Sequence, residues 1–170
     1  TALRNDLTCF AFFNGKTYSG TNKGFFLTSD DHGDSWTDST FLCPEGLTEL
    51  AVSSTGTLYA RVPCGGESDR PIGLLARSKD GGVTWKVFED YQGVRHITIG
   101  RSDDLFIQTN GILYYSFDEG EHSTSIDNGW RSGDYYYILD QEQNLLLFNF
   151  DILCSNDMGD TWTRIQTDFN

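Results

Sequence analysis

The chain has 170 residues, with 12 Lys and Arg against 25 Asp and Glu, for a formal charge of −13. That is the length of one ordinary domain, large enough to bury a core without metal or disulfide help. So acidic a composition excludes the basic footprint that nucleic acid or an anionic membrane requires, and no run approaches the ~18 apolar residues of a membrane helix.

The chain therefore reads as soluble, with no nucleic-acid partner and no membrane insertion. It begins without Met or an apolar leader, so a processed chain with its targeting signal removed is expected.

The predicted elements are strands throughout. LTCFAFF (7–13), KTYSG (16–20), GFFLTSD (24–30) and SWTDST (35–40) form a first group, with the turn NG between the first two. LTELAVSS (47–54), TLYARV (57–62), IGLLARSKD (72–80) and TWKVFED (84–90) form a second. VRHITIG (94–100), LFIQT (105–109), GILYYSFD (111–118) and STSID (123–127) make a third. DYYYILD (134–140), LLLFNF (145–150), DILCSND (151–157) and TWTRIQT (161–167) complete a fourth. Each run is five to nine residues, rich in aromatic and β-branched residues, and bounded by Gly, Asn, Asp or Ser. That is the signature of strands joined by hairpins. No segment holds a 3.6-residue period with caps, so almost no helix is expected.

Each group carries one box where its third run meets its fourth. The spellings are TSDDHGDSW (28–36), RSKDGGVTW (77–85), YSFDEGEHS (115–123) and CSNDMGDTW (154–162). Ser29, Asp31, Gly33 and Trp36 recur as Ser78, Asp80, Gly82 and Trp85, and as Ser155, Asp157, Gly159 and Trp162. The third copy keeps Ser116, Asp118 and Gly120 but has His122 and Ser123 where Thr and Trp stand elsewhere. Successive box serines are 49, 38 and 39 residues apart, and the long interval contains the insertion PCGGESDRPIG (63–73).

A period of about 40 residues with four short strands is the size of a propeller blade. The expected fold is all-β, a four-bladed β-propeller occupying 1–170 as one domain. Its blades lie near 7–40, 47–90, 94–126 and 134–167. The box reads as architecture: Asp binds nearby backbone N–H groups, Gly accepts a positive φ, hydroxyls cap the turn, and Trp packs between sheets. The third copy, lacking Thr and Trp, should be the loosest turn.

S-x-D-x-G-x-[ST]-W resembles the Asp-box of the sialidase-type (BNR) propellers. The same repeat is known in sortilin-type receptors, xyloglucan-active glycosidases, photosystem assembly factors and some lectins. The resemblance implies that the boxes share one face and that binding or catalysis uses the other.

Specific chemistry is thinly supported. No box carries the spacing of an EF-hand calcium loop, and no zinc pattern is present, so neither metal nor cofactor is expected. The arginine signature of sialidases is missing, and DRPIG (69–73) has the wrong order and place. His32, His96 and His122 fall in two boxes and one strand, which favours structural roles.

The face opposite the boxes collects the irregular segments, and with them Phe41, Arg70, Tyr91, Trp130 and Arg131. Trp130 alone among four tryptophans lies outside a box; it is either a ligand platform or a filler for the third blade's missing Trp. Aromatics flanked by polar groups suit a sugar, and the same set could anchor a protein. The expectation is a non-catalytic module binding a glycan, with a protein–protein adaptor and a reduced glycoside hydrolase as alternatives.

Four cysteines stand at 9, 43, 64 and 154. An even count suggests an oxidising compartment, hence secretion or the periplasm. In the expected topology Cys43, between blades one and two, and Cys64, in the second blade's 2–3 loop, share a face and should pair. Cys9 and Cys154 differ in height by on the order of 10 Å at ~3.3 Å per residue, and should remain buried thiols. The oligomeric state is left open.

Overall fold

The computed structural model describes residues 6–64, 72–126, 136–140, 142, 144–148 and 152–165. Arg70, Trp130 and Arg131 lie outside the described residues. The architecture is all-β, with four antiparallel sheets of four strands and no helix among the described residues. This is the four-bladed propeller class that the repeats predict.

In chain order the first sheet contains β1 (Leu7–Phe13), β2 (Lys16–Thr21), β3 (Phe25–Ser29) and β4 (Thr37–Phe41). The second contains β5 (Glu49–Val52), β6 (Leu58–Val62), β7 (Leu74–Ser78) and β8 (Lys86–Phe88). The third contains β9 (His96–Ile99), β10 (Leu105–Gln108), β11 (Leu113–Ser116) and β12 (Thr124–Ile126). The fourth contains β13 (Tyr136–Leu139), β14 (Leu145–Phe148), β15 (Ile152–Ser155) and β16 (Thr163–Ile165). Every sheet is a meander in sequence order. The first hairpin shows why: Asn14 and Gly15 both have positive φ, 48° and 78°, the two-residue turn whose twist matches the flanking strands.

Residue contacts group the chain into two units, Thr1–Ile97 and Thr98–Asn170. The first has a core of Ala11, Tyr18, Phe26, Leu47, Leu50, Leu58, Ala60, Val62 and Ala76, with Trp85 packed against it. The second is built on Phe106, Leu113, Tyr137, Leu145, Leu147 and Leu153, with Ile126 and Trp162 against it. Burial is spread over all four strands in the second sheet but falls off at the last strand of the fourth. There β16 is exposed along its length.

In each sheet the 3–4 turn closes on itself in the same way. The buried box serine accepts the glycine N–H, at 2.8 Å for Gly33, 2.9 Å for Gly82, 2.9 Å for Gly120 and 2.7 Å for Gly159. It donates its own proton to the aspartate at 2.7 to 2.9 Å. The aspartate then accepts the backbone N–H four residues on, from Ser35, Thr84, His122 or Thr161, at 2.8 or 2.9 Å. Its second oxygen takes the side chain of that same residue: Ser35 Oγ at 2.5 Å, Thr84 Oγ1 at 2.6 Å, and Thr161 Oγ1.

The third turn corrects one expectation. It is not loose, because His122 Nδ1 lies 2.6 Å from Asp118 Oδ2 and takes the hydroxyl's place. An imidazole N–H reaches from the same backbone position, so the aspartate keeps its full set of donors.

Two consecutive residues of each turn are left-handed. The first has φ between 59° and 72° (His32, Gly81, Glu119, Met158), and the box glycine between 89° and 99°. Gly82 and Gly159 meet a second demand. A Cβ on Gly82 would lie 1.9 Å from the Phe26 ring of the preceding sheet, and one on Gly159 would lie 2.1 Å from Ile126. Within each unit, the box glycine is therefore where one sheet seats an apolar side chain on the next.

The tryptophans pack less uniformly than expected. Trp85 crosses to Phe26 of the neighbouring sheet at 5.1 Å, edge to face. Trp36 meets Phe10 at 6.3 Å and Trp162 meets Tyr137 at 6.5 Å, both within their own sheets.

Candidate functional site

Each strand that leaves a box turn ends at the opposite edge of its sheet. Phe41 ends β4 there and Phe88 ends β8. At that end of the first unit the chain is pinned by the disulfide Cys43–Cys64, with Cα atoms 5.5 Å apart. The pairing follows from the topology, since Cys43 leaves the first sheet and Cys64 leaves β6 at the same level. A Cβ on Gly24, whose φ is 81°, would fall 1.5 Å from the carbonyl oxygen of Cys43. The backbone there tolerates only glycine.

Phe41 remains 53% exposed, and its ring is held edge-on by Phe25 at 5.3 Å. Tyr91 does not join it. It is only 5% exposed and packs on Phe88 at 5.9 Å, so the structure gives it a core role in place of the expected open platform.

A polar group that no sequence motif marks lies at this same end. Arg61, at the end of β6, donates from Nε to the Val94 carbonyl at 2.6 Å and from Nη1 to Thr48 Oγ1 at 2.7 Å. His96, the first residue of β9, pairs through Nδ1 with Glu49 Oε1, the first residue of β5. The glutamate side chain is 20% exposed and the histidine 46%. The hydrogen bond that His96 donates to the Glu49 carboxylate raises the His96 pKa above its ordinary 6.5, outweighing the opposite pull of burial. The other carboxylate oxygen, Glu49 Oε2, is buried with no hydrogen-bond partner among the described residues. Orphan acceptors of this kind are uncommon in native structures. The signal that could have found this group is weak: His96 and Glu49 each open a first strand of adjacent repeats.

The box carboxylates behave in the opposite way. Thr84 and Thr161, through side-chain and backbone bonds, hold Asp80 and Asp157 down to about 2. The backbone N–H and ring of His122 do the same for Asp118, and Ser35 holds Asp31 lower still. A general acid needs a raised pKa; these four aspartates are locked as anions by the turns they build.

Three ligand-type atoms, from Cys43, Glu45 and Cys64, lie within 4.8 Å of one another. The two sulfurs are bonded to each other, so the group is a crosslink beside a carboxylate. Cys9 and Cys154 are free, half-buried thiols, and burial pushes the Cys9 thiol up. Among the described residues no helix is long and apolar enough to cross a membrane.

No family model matches the chain, and no curated protein matches it. Solved structures do. YCF48 from Cyanidioschyzon merolae is similar at 17% identity and a TM-score of 0.66, over 98% of this chain and 59% of that one. YCF48 bound to D1 peptide is similar at 14% identity and 0.69, over 96% and 55%. A catalytically inactive virginiamycin B lyase from Staphylococcus aureus with quinupristin is similar at 14% and 0.68, over 99% and 58%. The chain thus spans somewhat more than half the length of these structures. At such low identity the likeness speaks for architecture alone: the chain has the β-propeller fold.

Proposed function

We propose that this chain is a non-catalytic binding module whose four turns are Asp-boxes and whose contact surface is the opposite end of the blades. The observation that carries this reading is the exposed Phe41 ring, fixed by Phe25 at the same end as the Arg61–Thr48 and His96–Glu49 groups. A held aromatic ring, with charge-assisted donors and a carboxylate at the same end of the blades, suits a sugar ring, whose C–H face stacks and whose hydroxyls bond. The four box aspartates, Asp31, Asp80, Asp118 and Asp157, are consumed in holding the turns.

The disulfide fits an oxidising compartment, which supports secretion or a periplasmic location. A second reading, a protein adaptor, is favoured by one of the similar folds having been solved with a bound peptide.

A glycan microarray probed with the intact chain tests the proposal. The expected result is a defined set of bound glycans, with signal reduced about tenfold or more for Phe41→Ala, the equivalent of ~1.4 kcal/mol. A blank array, together with capture of a peptide sensitive to Phe41→Ala, transfers the site to the second reading.

A further inference from the structure

Cys43 and Cys64 are placed by the sheets they leave as well as by the bond between them. Cys43 follows β4, and the backbone around it is sewn to the first sheet. The Leu42 N–H donates to the Gly24 carbonyl at 2.8 Å, and the Leu47 N–H to the Thr21 carbonyl at 2.9 Å. Cys64 follows β6, which β5 and β7 hold on its two sides. The Cα separation of 5.5 Å therefore rests on backbone hydrogen bonds too.

A third ligand-type group is folded onto the pair. The Gly46 N–H donates to the Cys43 carbonyl at 3.1 Å, and this turn brings Glu45 back over the cysteine. Glu45 Oε2 lies 3.0 Å from Cys43 Sγ. A disulfide sulfur carries no proton, so in the crosslinked chain two lone-pair-bearing atoms face each other with no hydrogen between them. The ligand atoms of Cys43, Glu45 and Cys64 all fall within 4.8 Å of one another. Around a tetrahedral zinc ion, with bonds of about 2.3 Å to sulfur and about 2.0 Å to oxygen, such atoms stand roughly 3.5 to 3.8 Å apart. Side-chain rotation covers the difference. The cysteines are 21 positions apart, outside the short C-x-x-C spacing of common zinc motifs; the fold, not the spelling, assembles the set.

We propose that the reduced pair, together with Glu45, binds one zinc ion, so that metal and disulfide are alternative clasps at this position. A dithiol reductant supplies two electrons and two protons to the S–S bond and itself closes to a disulfide. Zinc then displaces both thiol protons to solvent and takes two thiolates and one carboxylate. Water completes the fourth position, as in open zinc sites. Thiolates select zinc over calcium or magnesium, which take oxygen ligands. The charge of −13 favours a cation at the surface of this chain. All three residues belong to the first unit, and zinc binding there does not depend on what the contact surface takes.

Anaerobic titration of the reduced chain with cobalt(II), a spectroscopic stand-in for zinc, tests this. The expected result is one equivalent bound, with thiolate-to-metal charge transfer and the visible bands of a tetrahedral ion, all displaced by zinc. The crosslinked chain should show neither. Cys43→Ser or Cys64→Ser should abolish the signal, while Cys9→Ser/Cys154→Ser should keep it. Glu45→Gln should weaken zinc binding about tenfold or more, since even groups behind the ligands are worth that much. Zinc should raise the melting temperature of the reduced chain and leave that of the crosslinked chain where it is. If reduction alone unfolds the chain, zinc should restore its β-sheet spectrum, and should not do so in Cys43→Ser/Cys64→Ser. A reduced chain that gives no cobalt band overturns the proposal. So does a band that survives Cys43→Ser, or an affinity that Glu45→Gln leaves unchanged.

Discussion

The ring of Phe26 occupies the space in which Gly82 would carry a side chain: a Cβ there would lie 1.9 Å from its Cε1. Phe26 is fully buried and stacked on Tyr18 at 5.8 Å, so it cannot retreat. Gly82→Ala should therefore cost about 3 kcal/mol, combining a left-handed alanine with overpacking. Gly81→Ala, one residue earlier, has the same sign of φ but open space around it. Its cost should be about 1 kcal/mol. Urea unfolding of the two variants checks the difference; equal losses would mean that the seam does not bear on the glycine.

Acid should loosen all four turns together. Asp80, Asp118 and Asp157 titrate at about 2 in the folded chain, below the ordinary 3.8. A depressed folded value means that their stabilisation is complete above pH 3.8 and is lost as pH falls toward 2. Thermal unfolding followed from pH 6 to pH 2 should show a steady melting temperature down to about 4 and a decline below it. Asp118→Asn should blunt that decline and lower the plateau.

The His96–Glu49 pair has the opposite sign. The histidine value is raised above 6.5, so its contribution is full below 6.5 and disappears as pH climbs through the higher folded value. Proton NMR of the His96 ring should give a midpoint above 6.5 that moves down in Glu49→Gln. An unchanged midpoint in that variant would remove Glu49 as the cause.

Thiol counting in denaturant without reductant should find two reactive cysteines, Cys9 and Cys154, and two more after reduction. Reduction should lower stability by about 3 kcal/mol, the entropy of releasing a loop of this size, with the loss seen by comparing the chain with Cys43→Ser/Cys64→Ser.

What was legible in the sequence is what is local. Ser78, Asp80, Gly82 and Thr84 sit within seven residues and make their bonds to one another, so spelling and structure coincide. The strands, and the pairing of Cys43 with Cys64, followed from the repeat. His122 misled because a pattern written in hydroxyls hides that an imidazole N–H can donate the same bond. Tyr91 misled because an aromatic in a connecting segment carries no mark of whether it turns toward Phe88 or toward solvent. The Glu49–His96 and Arg61–Val94 contacts join separate repeats, and no local spelling announces them.

Ligand is expected to bind at the end of the blades away from the turns. Hydrogen–deuterium exchange of the chain with and without its strongest array glycan tests this most directly. Protection is expected in segments 41–49, 58–64 and 94–97, with the turns at 29–36 and 78–85 unchanged. Protection confined to those turns would contradict it.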